Sequence, residues 1–423
     1  MKTLKRRTFL KGASAALAFP YVGHVLGANA KLNIGVVGVA GRGAGNLNGV
    51  KGENIAALCD VDNARLDGAA KNFPAAKKYR DFREMLEKSK LDAVVCSTPD
   101  HTHAVIGVAA MKAGCHLYCE KPLAHKVSEV RAMSDTAAAK KRVTQMGTQI
   151  HAGENYRRVV ELVRAGAIGP IREVHVWAGA TYGNIGLSTK DAPLPKGFDY
   201  ELWLGPLPYR PFRKEYAPFH WRHFWAFGGG TLADFWCHYS DLAHWALDLK
   251  HPLTIHAQGG KARPERVTQA LKVDYTYPAR GGQPPVRLTW YQGGQKPAAL
   301  TEDQKKKWGS GVLFVGEKGN LFSNYGSHLL MPEADFKDYQ RPKPSIPKSP
   351  GHHIEWLQAI KNGGKATCDF SYAGPLTECA LLGIVSHRVG NKKLEWDAGN
   401  LKARNCPEAD LYINHKYRPG WNL

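Results

Sequence analysis

The sequence predicts an α/β protein of two unequal domains: an N-terminal doubly wound parallel sheet, then a larger C-terminal α/β domain. Three observations carry this. Leu32 to Asp60 reads as strand, glycine turn, helix, strand and acid. Strands and helices then alternate up to Gln149, the pattern of βαβ units feeding one parallel sheet. After Ile150 the pattern changes to an aromatic-rich segment, then strand stretches at 253–259, 270–277, 286–292 and 312–322, then helices at 352–361 and 374–389.

The first element is Ile34, Val36 and Val37, a short apolar run suited to a strand buried on both faces. Gly38-Val-Ala40-Gly41-Arg42-Gly43 then turns the chain into a helix. A pyrophosphate fits such a turn, because unpaired amides and the helix dipole favour an anion and missing side chains admit it. Against G-x-G-x-x-G, Gly38 and Gly43 match the outer positions while Ala40 takes the middle one; Gly41, directly after it, is the residue to compensate. Asp60 follows Gly38 by 22 residues, where a carboxylate binds the adenosine ribose and repels a 2′-phosphate. NAD is therefore expected over NADP, although Arg65 lies near.

Helices are expected at 64–72 and 82–88, then a strand at 91–97 that ends in Thr98-Pro99-Asp-His-Thr-His103. That loop lies at the carboxyl end of the sheet, where open α/β sheets bind ligands. A helix at 104–113, strand 116–119, Glu120-Lys121-Pro122, a helix at 128–140 and strand 143–146 complete the domain. The expected divisions are a signal segment at 1–30, a nucleotide domain at 31–149 and a substrate and assembly domain at 150–423.

The chain has 423 residues, 43% of them hydrophobic, enough for a large core. Its formal charge is +21, but five basic residues lie in the acid-free leader, leaving 53 against 37 acids, or +16. Lys and Arg are spread out, and no nucleic-acid motif accompanies them, so nucleic acid is not an expected partner. Lys5-Arg6-Arg7-Thr8-Phe9-Leu10 precedes an apolar stretch and Ala28-Asn29-Ala30, which resembles a twin-arginine export signal with Lys5 where Ser or Thr is usual. The expected location is the periplasm or another exported compartment, with no membrane span after removal of the signal. Eight cysteines form no C-x-x-C pair, and those near the strands read as small hydrophobes.

The glycine turn, Thr98-Pro99 with His103, Glu120-Lys121-Pro122 and Gly228-Gly-Gly-Thr-Leu-Ala-Asp234-Phe-Trp-Cys-His238 together resemble the glucose–fructose oxidoreductase, inositol dehydrogenase and MocA family. The resemblance spans nearly the whole chain after the leader. It implies a Rossmann domain, a C-terminal domain on a large open antiparallel sheet, NAD or NADP, sugar or polyol substrates, and homo-oligomers built through that sheet. Thr98, Pro99, His103, Glu120, Lys121 and Gln149 then join the glycine turn and Asp60 as cofactor-binding candidates.

Oxidation of a secondary alcohol needs a base for the hydroxyl proton and a positive group beside the developing alkoxide. Lys121, at a strand end between Glu120 and Pro122, suits both, with Glu120 and the cofactor expected to tune it. Asp234 and His238, spaced i, i+4, share a helix face, so the carboxylate can orient an imidazole that shuttles the proton. Asp241 and His244 continue that face and invite a metal reading, but no further ligand cluster has metal-like spacing, so no metal is expected. Rings crowd residues 203–227, and sugars stack on aromatic faces; Trp221, Arg222 and Trp225, with His151 after the nucleotide domain, are the substrate-binding candidates. Three function classes remain open: a nicotinamide-dependent sugar oxidoreductase, a glycosidase that oxidises its substrate transiently, and a carbohydrate-binding protein with a vestigial site.

Overall fold

A computed structural model describes residues 30–414 and 416–423, so the export signal read at 1–30 lies outside the described residues except for Ala30. Six strands form the N-terminal sheet: β1 (Asn33–Val37), β2 (Asn54–Cys59), β3 (Lys77–Tyr79), β4 (Ala93–Cys96), β5 (His116–Cys119) and β6 (Thr144–Met146). Their order is β3-β2-β1-β4-β5-β6 and every pair is parallel. Ile34, Val36, Val94, Val95 and Leu117 are fully buried, as strands covered on both faces require. Two of the helices between them begin on aspartate caps: Asp62 accepts from the amides of Ala64 and Arg65, and Asp81 from that of Arg83. The strand order reverses between β1 and β4, which opens a cleft beyond their carboxyl ends. β3 was not among the expected strands; two of its three residues are exposed lysines that carry no apolar signal.

The second sheet has nine strands: β7 (Ile171–Trp177), β8 (Thr254–Gly259), β9 (Leu271–Tyr277), β10 (Val286–Gln292), β11 (Gly311–Gly316), β12 (Gly319–Ser323), β13 (His328–Met331), β14 (Leu394–Asp397) and β15 (Lys402–Ala403). Their order is β13-β12-β11-β7-β10-β9-β8-β14-β15. The expected antiparallel sheet is in fact mixed, because β7 and β10 run parallel. A parallel neighbour needs a long crossover, and the chain between β7 and β8 supplies one. The stretch 312–322, expected as one strand, is the hairpin β11–β12, folded where Glu317 and Lys318 break the apolar run. On β9, Leu271, Val273, Tyr275 and Tyr277 turn inward and Lys272, Asp274 and Thr276 outward. The helices Gly230–Leu247 and Phe370–Arg388 pack together beneath the sheet, and a Cβ at Gly383 would lie 2.3 Å from the Tyr275 hydroxyl. Glycine there sets how closely helix and sheet approach.

Late segments return to the first domain. Trp356 and Leu357 of the His352–Lys361 helix join the core that holds Ile34, Val36 and Tyr118. The Phe370–Arg388 helix, capped by Asp369, starts four residues before its expected start at 374 and packs on Val127–Ala139. Between β7 and the Gly230–Leu247 helix the chain crosses the mouth of the cleft: the Asn63 amide donates to the Gly197 carbonyl at 3.1 Å and that of Asp199 to Val61 at 2.9 Å. Among the described residues, no helix is long and apolar enough to cross a membrane, and all eight cysteines are buried and unbridged.

Candidate active site

The glycine turn is fixed by close backbone approach. Gly38 has φ +80° and donates its amide to the Cys59 carbonyl at 2.8 Å; a Cβ there would lie 2.8 Å from the Ser97 carbonyl oxygen. A Cβ on Gly43 would lie 1.8 Å from the Gly38 carbonyl oxygen. Gly41 differs: its φ of +57° starts the Arg42–Val50 helix, and nothing stands within 4 Å of a Cβ built on it. It keeps the turn open towards the cleft, so Ala40 in the middle position leaves an anion cradle intact, and a pyrophosphate fits it. Asp60 ties the turn to β2, accepting from the amides of Val39 and Asp62 at 3.0 Å each. Burial raises its carboxyl above the ordinary value in spite of those two bonds.

Lys121 lies two residues beyond β5, 113 residues from its partner. Its Nζ pairs with Asp234 Oδ1 and lies 3.3 Å from the Asp234 carbonyl oxygen. Arg222 Nε stands 3.1 Å from the same carboxylate oxygen, and the Tyr182 hydroxyl donates to Oδ2 at 2.8 Å. Burial alone would push the Asp234 carboxyl up; Lys121 and then Arg222 outweigh it and hold the group well below the usual carboxylate range. The Arg222 guanidinium lies 3.9 Å from the Trp221 ring centroid, and its far side faces Asp100 at 3.7 Å. Asp100 is 1% exposed and accepts no hydrogen bond from the described residues, so burial raises its carboxyl to about 7.

The sequence reading had Glu120 and the cofactor tune Lys121; in the structure the ammonium pairs with Asp234, and the Glu120 carboxylate turns to other partners. It accepts from Asn46 at 3.0 Å and Gln149 at 2.8 Å, and Gln149 also donates to the Tyr118 hydroxyl at 2.8 Å. His353, at the start of the returning helix, reaches Asn46 at 3.0 Å. His103 lies behind the wall, its ring nitrogens 2.8 Å from the carbonyls of Pro122 and Thr98, so it ties the Thr98-Pro99 loop to the Lys121-Pro122 step.

His238 shares the Asp234 face, but the expected Asp234–His238 hydrogen bond is absent among the described residues, because Lys121, Arg222 and Tyr182 occupy that carboxylate. Its Nδ1 has no partner among the described residues, and burial, with Lys121 nearby, lowers its pKa to about 3. Asp241 and His244 diverge. Asp241 accepts from Tyr372 at 2.7 Å and pairs with His151 Nδ1 at 3.0 Å, while His244 meets the Ser240 carbonyl at 2.9 Å. His151 is thereby buried against Trp245, with ring centroids 4.0 Å apart. Trp225 faces away from the cleft, donating to the Arg263 carbonyl at 3.0 Å.

One cavity of about 560 Å³ joins both ends of this arrangement. Gly38, Ala40, Gly41, Arg42 and Asp60 line one part; Thr98, Pro99, Glu120, Lys121, Asp234, Trp221 and Arg222 line the other. Gly43, His103, Gln149, His151, Trp225 and His238 stand outside that lining. Asn46, Asp100 and Tyr182 are the additions that sequence reasoning missed; Asp100 lay within the Thr98–His103 motif, whereas no local pattern marks Tyr182.

A model of an oxidoreductase family with an NAD-binding Rossmann fold matches residues 32–148, and that of the family's C-terminal α/β domain matches 173–423. A glycosyl hydrolase family 109 protein of Solibacter usitatus is 34% identical over 170 residues, which cover 37% of this chain and 38% of that protein. Inositol 2-dehydrogenase of Salmonella typhimurium is 27% identical over 150 residues, covering 34% of this chain and 45% of the enzyme. The matched part is thus less than half the length of either relative. The WlbA dehydrogenase of Bordetella pertussis, solved with NADH and UDP-GlcNAcA, shares the fold with a TM-score of 0.61 at 17% identity, over 87% of this chain and 99% of that one. With both of its domains matched in order, the chain belongs to the Gfo/Idh/MocA oxidoreductase family, and residues 32–148 are its NAD-binding Rossmann domain.

Proposed function

We propose that this protein is an exported, NAD-dependent oxidoreductase acting on a secondary hydroxyl of a sugar or polyol. The observation that carries the reading is the meeting, in one cavity, of the glycine cradle with the buried Lys121–Asp234 pair and the half-buried Arg222 beside it. The cradle and Asp60 would hold the dinucleotide, and when bound its nicotinamide supplies the two-electron acceptor for the carbinol carbon. The neutral form of Lys121 takes the hydroxyl proton at Nζ and so returns to the ammonium that pairs with Asp234; Asp234 orients that nitrogen and offsets the charge it regains. Arg222 and Tyr182 keep Asp234 ionised and in place. His238, neutral at pH 7 and with a free Nδ1 among the described residues, relays the proton onward. Trp221 supplies an aromatic face for the sugar, and the charged floor favours a substrate that brings its own hydroxyl or carboxylate partners.

The likeness to a family 109 glycosyl hydrolase supports a second reading, in which oxidation is transient and a glycosidic bond breaks before the sugar is reduced again. The binding-protein reading lacks support, since a vestigial site has no need of a buried ion group. Export through a twin-arginine signal would carry the folded protein with its cofactor aboard, and assembly would use the nine-stranded sheet. Incubation with a panel of hexoses, N-acetylhexosamines, uronic acids, inositols and their glycosides, following NADH and free sugar together, tests the reading. Net NADH with no sugar released supports the dehydrogenase, released sugar without net NADH supports the glycosidase, and neither signal refutes both. Near-stoichiometric NAD released on denaturing protein purified without added cofactor would support retention; protein that carries none would remove it.

A further inference from the structure

Trp421 lies in the wall of the same cavity, although it is far in sequence from every motif that defines the site. The segment that brings it there is anchored at several points. The Tyr417 hydroxyl donates to Glu129 at 2.8 Å. Arg418 donates from Nε to the Gly205 carbonyl at 2.7 Å, from a terminal nitrogen to the Glu201 carbonyl at 2.6 Å, and pairs with the Glu201 carboxylate. Its own amide bonds the Pro206 carbonyl at 3.0 Å. Glu201 lies in the first turn of the short Tyr200–Leu204 helix and Gly205 caps its end, so one arginine clips the segment to the part of the chain that crosses the cleft mouth.

The indole itself reaches the other domain. Its ring centroid is 6.1 Å from that of Phe82, and the Arg83 guanidinium lies 4.7 Å over the ring. Phe82 and Arg83 follow β3, the neighbour of β2, and Asp60 comes directly after β2. Since the acid at the end of β2 marks the ribose of the adenosine, Trp421 stands at the adenosine end of the cleft, opposite to Lys121. A large flat ring in a partly apolar wall is a stacking surface for a purine.

We propose that residues 417–421 form a strap closing the adenosine end of the cofactor cleft, with Trp421 as the wall that adenine meets and Arg418 as the clip that holds it. This rests on the nucleotide site described above and assigns a residue to cofactor retention. Dissociation would require the strap to lift, so unclipping it speeds release as well as weakening binding.

The test uses ADP-ribose, which lacks nicotinamide and undergoes no redox step, titrated calorimetrically into full-length protein stripped of nucleotide. Trp421→Ala and Arg418→Ala should each weaken ADP-ribose at least tenfold and speed NADH release by a similar factor. Trp421→Phe, which keeps an aromatic face, should stay within about threefold of the wild type. Thermal melts identify the folded variants, and Arg418→Ala with Trp421→Phe decide the matter if Trp421→Ala fails to fold. Wild-type affinity in folded Trp421→Ala or Arg418→Ala would overturn the strap alone. Absence of ADP-ribose binding by the wild type would remove the nucleotide site and the strap with it.

Discussion

Asp234 is the residue on which the reaction end of the site depends, and a double-mutant cycle with Lys121 measures that dependence. Both side chains are under a tenth exposed. Arg222 Nε stands 3.1 Å from the same oxygen, where Coulomb's law at an effective dielectric of about 20 gives an attraction of roughly 5 kcal/mol before desolvation is counted. Asp234→Asn leaves the buried Lys121 ammonium facing the partly exposed Arg222 guanidinium with no anion between them, so it should cost about 3–5 kcal/mol in urea unfolding at pH 7. Lys121→Met leaves Asp234 still paired with Arg222 and should cost less, about 1–3 kcal/mol. The double variant removes one cation along with the anion. It should therefore be more stable than the sum of the singles implies by about 2 kcal/mol, with an unchanged denaturant slope. Additivity within about 0.5 kcal/mol would show that the two side chains do not interact, and the account of the site would fail.

Other outcomes follow from the same structure. His244 and His352 are buried and held neutral down to about 4, whereas their unfolded forms protonate near 6.5. Stability is thus full above pH 6.5 and should fall as pH drops to 4, by about 3 kcal/mol for each histidine, which urea midpoints against pH would show. A Gly43→Ala variant must displace backbone, because its Cβ would meet the Gly38 carbonyl at 1.8 Å; nucleotide binding should be lost, and retained ADP-ribose affinity would mean that the turn is not the cradle. Asp60 should make NAD bind more tightly than NADP by at least about tenfold, or 1.4 kcal/mol, and Asp60→Ser should narrow that gap; equal affinities in the wild type would detach Asp60 from the ribose.

The parts legible in the sequence were those fixed by local constraint. Gly38 and Gly43 announce themselves because the backbone permits nothing larger, and Lys121 because a strand end, an acid and a proline frame it. The buried strands β1, β4 and β5 were readable because two covered faces leave only apolar residues. What the sequence hid depends on distance along the chain. Lys121 was read against its neighbour Glu120, whereas its partner Asp234 arrives from another domain, and Tyr182 comes from an irregular segment with no periodicity. The spacing of Asp234 and His238 correctly put them on one face but could not tell which groups would compete for the carboxylate. The parallel β7–β10 pair was likewise invisible, since strand direction is set by the crossover and not by the residues of the strand. Trp421 carried no signal because a lone tryptophan beyond the last helix resembles any surface residue.

The central claim is that Lys121 performs the proton transfer while the glycine turn holds the nucleotide, and one variant separates the two. Using the sugar that gives the highest wild-type rate in the panel, Lys121→Ala should lose roughly two to three decades in kcat, the usual consequence of removing one transition-state contact worth about 2.7–4 kcal/mol. The same protein should bind NAD within about threefold of the wild type, since the cradle lies apart from the ammonium. A near-normal rate in Lys121→Ala with NAD binding intact would contradict the account.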